Sequence, residues 1–372
     1  MTLKELNIVN FKNIGEAVLS FGPGFNCFVG NNGVGKTNVL DAIYQLSMCK
    51  SFFNMSDTQN IRHGEPFFVL QGKYVRNEGE EIDIFCGVKK GQKKIFRKNQ
   101  KVYDKLSEHI GLLPLVMISP EDVGLIEGGS EERRRLIDGI ISQSDREYLH
   151  WLIRYNRALG QRNTLLKNGM NGIPDWEVIE VWDDQLAECG TKIFEKRKKF
   201  LEDFKVVFQQ YYELISSGKE QVHLEYSSSV KENDILQTLR ASRERDRLLG
   251  YTTAGIHRDD LVMKIEGYPV KKVGSQGQKK TFLIALKLAQ YEWLHRINGI
   301  KPLLLLDDIF DKLDARRVEQ IIAIVSGDIF GQVFITDTNR SHIDEMLKSQ
   351  RKDYILFHVE NGIFVNFADS ES

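Results

Sequence analysis

Cysteine is scarce in this 372-residue chain: Cys27, Cys49, Cys86 and Cys189 are the only four, and no two form a CxxC pair. That argues against a disulfide scaffold or a thiolate zinc site and fits a reducing compartment. Long apolar runs are lacking as well. No stretch approaches about 18 consecutive apolar residues, so no membrane span is expected. Lys4, Glu5 and Lys12 interrupt the N-terminal segment, which leaves no signal peptide in view and makes a cytoplasmic location the expectation. Charge of one sign is missing too, with 51 Lys+Arg against 52 Asp+Glu. A nucleic-acid partner would therefore have to use a local patch. No internal repeat or low-complexity tract is present. Hydrophobic residues at 41% and charged residues at 28% are ordinary for a globular chain, and the length exceeds what one core usually absorbs.

What is present divides into three stretches. Residues 3–29 and 67–104 carry short apolar runs split by Gly and Asn, which predict strands and an antiparallel hairpin set. From about residue 131 to 249 the chain turns to long, charged, helix-favouring segments, a candidate arm inserted into the first domain. The α/β pattern then resumes. Thr281–His295 predicts a helix, while Pro302–Leu306 and Gln332–Thr336 predict buried parallel strands. The expected architecture is α/β, with a head from 1–130 and 250–372 and a helical arm from 131–249.

Gly30-Asn31-Asn32-Gly33-Val34-Gly35-Lys36-Thr37 matches G-x-x-x-x-G-K-[ST] in full, between a predicted strand and a helix opening at Asn38. Such a loop must wrap tightly enough for backbone N–H groups to face phosphate oxygens, and side chains at Gly30 and Gly35 would obstruct that. Lys36 brings a mobile positive charge to the β- and γ-phosphates of ATP, Thr37 a hydroxyl to Mg²⁺, and the helix its positive end. The alternative is a chance glycine-rich turn. The loop alone does not separate kinase, GTPase and ATPase.

A second motif bears on that choice. Leu303-Leu-Leu-Leu-Asp307-Asp308 is an apolar strand that delivers two acids at its end. Asp307 is placed to hold Mg²⁺, and Asp308 to act as general base on the attacking water. In isolation the same residues would read as a strand and an acidic turn. Before the predicted helix at Thr281 stands Ser275-Gln276-Gly277-Gln278, either a second anion site or a plain helix cap.

Taken with Asn10-Phe11-Lys12-Asn13, Ser119-Pro-Glu-Asp122, Arg133-Arg-Arg135 to Asp138, Gly255-Ile-His-Arg-Asp-Asp-Leu261 and Leu306 to Asp314, these motifs resemble the RecF family, ATPases of bacterial recombinational repair related to SMC and Rad50 heads. The matching segments run nearly the whole length. The resemblance implies an ABC-type ATPase head with an inserted α-helical arm and an ATP-dependent homodimer. It also implies binding to double-stranded, gapped or junction DNA and cooperation with RecR and RecO in loading RecA. It makes Ser275–Gln278 the signature motif that closes over the partner's γ-phosphate. Leu313-Asp314 becomes the D-loop, and Thr336-Asp337-Thr338 the switch segment. Lys12 stands where the family often has Arg, and Glu121 or its neighbours stand for the lobe-linking Gln.

The densest cationic stretch is a predicted hairpin with seven cations in residues 89–101: Lys89, Lys90, Lys93, Lys94, Arg97, Lys98 and Lys101. It is either a solvated tip or a sequence-independent phosphate contact. Lys196–Lys199 and Arg240/Arg243/Arg245/Arg247 are lesser patches. His257-Arg258-Asp259-Asp260 reads as structural or as nucleotide-proximal. The rival functions are a P-loop kinase, the nucleotide-binding subunit of a transporter, an SMC-like head with a long coiled coil, or another ABC-type ATPase not acting on DNA.

Overall fold

The protein is described from a computed structural model, which covers residues 1–54, 56–76, 79–169, 175–218, 220–230, 234–310, 313–340, 347 and 353–367. Among these no helix is long and apolar enough to cross a membrane. The chain divides into two compact units. One comprises Met1–Asp122, Leu214–Ser217 and Lys280–Ser372, and the other Val123–Glu213 and Gly218–Lys279.

The first unit holds two six-stranded sheets. In one, Thr2–Phe11 pairs antiparallel with Ile14–Ser20 and Phe67–Val75, and the sheet continues through Glu81–Lys89, Ile95–Lys98 and Lys101–Val102. Alternate residues of these strands face inward, as the period of two requires: Leu6, Ile8, Leu70, Ile84 and Phe96 are buried. In the other sheet Leu115–Ile118, Leu303–Asp307, Val333–Asp337, Phe25–Val29 and Tyr354–Glu360 run parallel, with Ile363–Asn366 returning antiparallel at the edge. Its inner strands Phe25–Val29, Leu303–Asp307 and Val333–Asp337 are buried along their whole length, which is why their sequences are apolar runs. Between the sheets the helix Lys36–Met48 buries Val39, Leu40, Ile43 and Leu46 in a core shared with Phe28, Phe334 and Phe357. Each such side chain contributes about 1.5–3 kcal/mol on leaving water.

His109 is fully buried in this unit, with Nε2 2.7 Å from the Leu46 carbonyl and Nδ1 3.0 Å from the Tyr103 hydroxyl. A carbonyl only accepts, so Nε2 carries the proton and Nδ1 accepts from the tyrosine. Burial lowers the imidazole from its ordinary 6.5 to about 4. The unfolded chain therefore binds the extra proton first as pH falls. The stability this neutral ring contributes is complete above pH 6.5 and lost towards pH 4, on the order of 3 kcal/mol. Urea unfolding at pH 7 and pH 4.5 should show this loss in the wild type and a flatter profile in His109→Gln. Equal pH slopes for the two proteins would contradict it.

The second unit contains helices Ser130–Ser142, Arg146–Asn168 and most of Trp176–Ser216, plus a three-stranded sheet in which Asp260–Ile265 pairs with Val222–Ser227 and Tyr268–Pro269. That sheet departs from the all-helical arm expected for 131–249. Val222, Leu224 and Tyr226 alternate with outward residues, a period-two pattern six residues long and easily lost between helices. Its partner strand begins at Asp260, and residues 250–279 belong to this second unit. Towards the end of the stretch expected to be helical stand two short helices, Ile235–Ala241 and Arg243–Leu249, broken at Ser242. Asn233 lies outside the described residues.

Candidate nucleotide-binding site

Strand Phe25–Val29 ends directly at the loop 30–35, and helix Lys36–Met48 starts where the loop closes. Two glycines are fixed by their surroundings. A Cβ on Gly30 would stand 2.3 Å from the Val359 carbonyl oxygen, and Gly35, at φ 116°, would place one 2.7 Å from Asn13 Oδ1. Asn13 straps the loop from outside. Its Nδ2 donates to the Val34 carbonyl at 3.0 Å, and its Oδ1 accepts from Asn38 Nδ2 at 2.7 Å. The Gly362 N–H donates to the same Val34 carbonyl at 2.8 Å. Asn31, Asn32 and Gly33 at the crest stay exposed.

Lys36 is buried, and its Nζ donates to the Gly30 and Asn31 carbonyls at 2.7 and 2.8 Å. Burial lowers its pKa, opposed by the negative charges of Asp308, Asp307 and Asp337. One ammonium thus faces three carboxylates. Thr37 Oγ1 donates to Asp307 Oδ1 at 2.8 Å, joining residues 270 positions apart. Thr336 Oγ1 donates to the same oxygen at 2.8 Å while accepting the Asp308 N–H at 3.0 Å. Burial pushes the Asp307 carboxyl above the usual carboxylate range. Asp308 follows with φ 49°, a left-handed conformation uncommon for non-glycine residues and characteristic of functional turns.

Thr37 and Asp307 offer a hydroxyl and a carboxylate, hard oxygen donors suited to Mg²⁺, and the surplus of acid around Lys36 calls for a cation. Among the described residues no cluster of three or more His, Cys, Asp or Glu could enclose a metal by itself.

Other expected site residues are placed as follows. Ser275 and Gln278 form a reciprocal capping box at the start of helix Gln276–Asn298. The Ser275 N–H donates to Gln278 Oε1 at 2.7 Å, and the Gln278 N–H to Ser275 Oγ at 3.2 Å. Gln276 and Gly277 fill the turn between them, and this helix start belongs to the second unit. Asp314 caps helix Ala315–Val325 through the Arg317 N–H. Asp311 and Lys312 lie outside the described residues. Glu121 is exposed, whereas Asp122 beside it is buried and paired with Lys287 at 2.7 Å.

The His257 segment is woven into its own unit. His257 meets the Tyr155 hydroxyl and the Thr252 carbonyl, Asp259 pairs with Arg197 and accepts from Tyr226 and Ser228, and Asp260 pairs with Arg133. These bonds account for the motif structurally.

The basic hairpin is less uniform than its composition. Lys89, Lys90, Lys93 and Lys101 are exposed, and Lys98 is half-buried. Lys94 turns inward, bonded to the Cys49 carbonyl at 2.6 Å and paired with Asp57 at 2.7 Å, and Arg97 lies over the Phe85 ring. Lys94 is therefore a staple rather than a free cation. Sequence reasoning also missed Asp41, fully buried on the loop's helix. It pairs with Lys12 at 2.7 Å and accepts from Ser51 Oγ and the Phe52 N–H. Its position on the inner face of helix Lys36–Met48 was the available signal.

Comparison with known proteins gives one consistent result. The RecF/RecN/SMC N terminal domain matches residues 2–364. The chain is 53% identical over 363 residues to the DNA replication and repair protein RecF of Phocaeicola vulgatus, covering 97% of both. It is 55% identical over 362 residues to that of Parabacteroides distasonis, covering 97% and 98%. Among solved structures it is similar to the recombination mediator protein RecF with ATP, of the RecFOR pathway. The TM-score there is 0.89 at 32% identity, with 98% of this chain and 97% of that one covered. A Pyrococcus furiosus Smc head shares the fold at a TM-score of 0.58 and 17% identity, covering 99% and 97%.

Proposed function

This chain belongs to the RecF family of SMC-type ATPases, and from that membership we propose that it is an ATP-Mg²⁺-driven clamp of DNA replication and repair. Two copies close over two nucleotides in the cytoplasm, the dimer grips double-stranded DNA near gaps, and slow hydrolysis releases it. The clamp acts with RecO and RecR in loading the recombinase RecA. The pathway named for the solved ATP-bound relative supports that assignment of partners.

The observation that carries the nucleotide chemistry is the 2.8 Å bond between Thr37 and Asp307. It brings the end of the phosphate loop to the end of the acidic strand. Loop N–H groups and the helix start bind the phosphates, and Lys36 shifts from the Gly30 and Asn31 carbonyls to phosphate oxygens. Mg²⁺, when bound at Thr37 and Asp307, neutralises phosphate charge. Asp308, one residue beyond, orients the attacking water and takes its proton. Ser275, exposed at a capped helix start, presents its hydroxyl and that helix's positive end to the nucleotide of the second copy. The exposed Lys89, Lys90, Lys93 and Lys101 neutralise DNA phosphates.

Ser275→Arg tests the clamp. ATP affinity of the monomer should stay within about twofold, while the ATP-dependent sedimentation shift and duplex binding should fall at least about tenfold, by loss of one whole protomer's contacts. A variant that still dimerises with ATP would sink the assignment of Ser275. A wild type whose turnover and oligomeric state ignore duplex DNA across a salt series would sink the DNA reading, leaving an ATPase that does not act on DNA.

A further inference from the structure

The arginines of the 240–247 stretch are not equivalent. Arg240 and Arg243 pair with Glu180, Arg243 also with Asp183 at 2.9 Å, and Arg247 with Glu244 at 3.1 Å. Arg245 is exposed and makes no ion pair among the described residues. It shares a hollow of about 460 Å³ with Arg258, Tyr251 and the Ser227-Ser228-Ser229 turn. Arg258 likewise has no carboxylate partner among the described residues. One of its nitrogens donates to the Thr252 carbonyl at 3.0 Å, and its guanidinium lies 5.2 Å over the Tyr251 ring. That stacking orients the fork while leaving its charge unmatched.

The acids behind the hollow are already matched. Asp259 is fully buried, pairs with Arg197 and takes the Ser228 hydroxyl; Asp246 is fully buried, pairs with Arg162 and takes the Thr253 hydroxyl. With those two hydroxyl protons used inward, the donors left to the hollow are two guanidinia and the exposed Ser227 and Ser229.

We propose that the Arg245–Arg258 hollow of the helical unit is a second phosphate-binding site, separate from the glycine loop and the basic hairpin. Several donors on different walls suit a tetrahedral oxyanion, which offers oxygens in more than one direction. Hydroxyl and guanidinium contacts of this kind hold phosphate without reading sequence. The phosphate comes either from a nucleic-acid backbone or from a small phosphate ester, and the recognition is the same.

The test uses the full chain and the variant Arg245→Ala/Arg258→Ala, both positions being exposed. Circular dichroism confirms that the fold is kept. One arm titrates random-sequence duplex DNA from 50 to about 200 mM KCl. Loss of about tenfold in affinity, with the slope of log K against log salt shallower by about 1–2, identifies backbone phosphates. The other arm counts pyrophosphate by calorimetry. Uptake of two equivalents by the wild type and one by the variant, with DNA binding unchanged, identifies a small phosphate ester. A variant indistinguishable from wild type in both arms overturns the proposal. The pyrophosphate arm reads the hollow even if the wild type ignores DNA, so the two readings fail separately.

Discussion

Asp308→Asn should lower steady-state ATP turnover by at least about 100-fold, the lower end of what a positioned general base contributes, while ATP affinity stays within about threefold. The substitution removes the proton acceptor together with one of the three negative charges that act on Lys36. Asparagine has the same size, and it tolerates the left-handed conformation that residue 308 adopts at φ 49°. The Asp308 N–H bond to Thr336 Oγ1 belongs to the backbone, so it survives the change, and Asp307 keeps its bonds from Thr37 and Thr336. Binding and dimer closure therefore persist while the water lacks its base, and sedimentation with ATP should show a dimer that does not decay. Quenched-flow single turnovers separate this from slow product release. A fall of less than about fivefold would move the base elsewhere, with the buried Asp337 the next carboxylate to examine.

The parts of this site that were legible in the sequence are those whose chemistry is local. A phosphate loop needs its glycines, lysine and threonine within eight positions, and an acidic strand end needs an apolar run followed by carboxylates. Both motifs therefore carry their own geometry. What the sequence hid is pairing across distance. Seven cations in one hairpin look alike until Lys94 is found turned onto Asp57. Four arginines on one stretch look like a solvated face until Glu180, Asp183 and Glu244 account for three of them. Asp259 could have been a ligand or a girder. Arg197 and Tyr226, more than 30 residues away, make it a girder. The grouping of residues 260–265 was hidden for a similar reason, since the strand Asp260–Ile265 pairs with Val222–Ser227, its antiparallel neighbour. Ser275 lies between these cases. Its sequence offered a helix cap or an anion site, and the cap is what the bonds between Ser275 and Gln278 make.

Lys36→Ala should weaken ATP binding by at least about 100-fold, or about 2.7 kcal/mol, the size expected for losing charge-assisted bonds to phosphate. Charge balance pushes the effect further. Lys36 is the cation whose field is opposed by Asp307, Asp308 and Asp337 together. Without it the three carboxylates repel the incoming triphosphate as well as one another. The Gly30 and Asn31 carbonyls also lose the ammonium that both now share. Lys36→Arg keeps the charge but asks a buried site for a wider, planar group. It should recover part of the affinity and little of the turnover. The sign of the pH dependence follows from burial. A lysine with a lowered pKa sheds its proton at lower pH than an exposed one, so ATP affinity of the wild type should decline early on the alkaline side. The residual affinity of Lys36→Ala should show no such step. Fluorescent-nucleotide titrations from pH 7 upward measure both curves, and a variant that parallels the wild type would remove Lys36 from the phosphate contact.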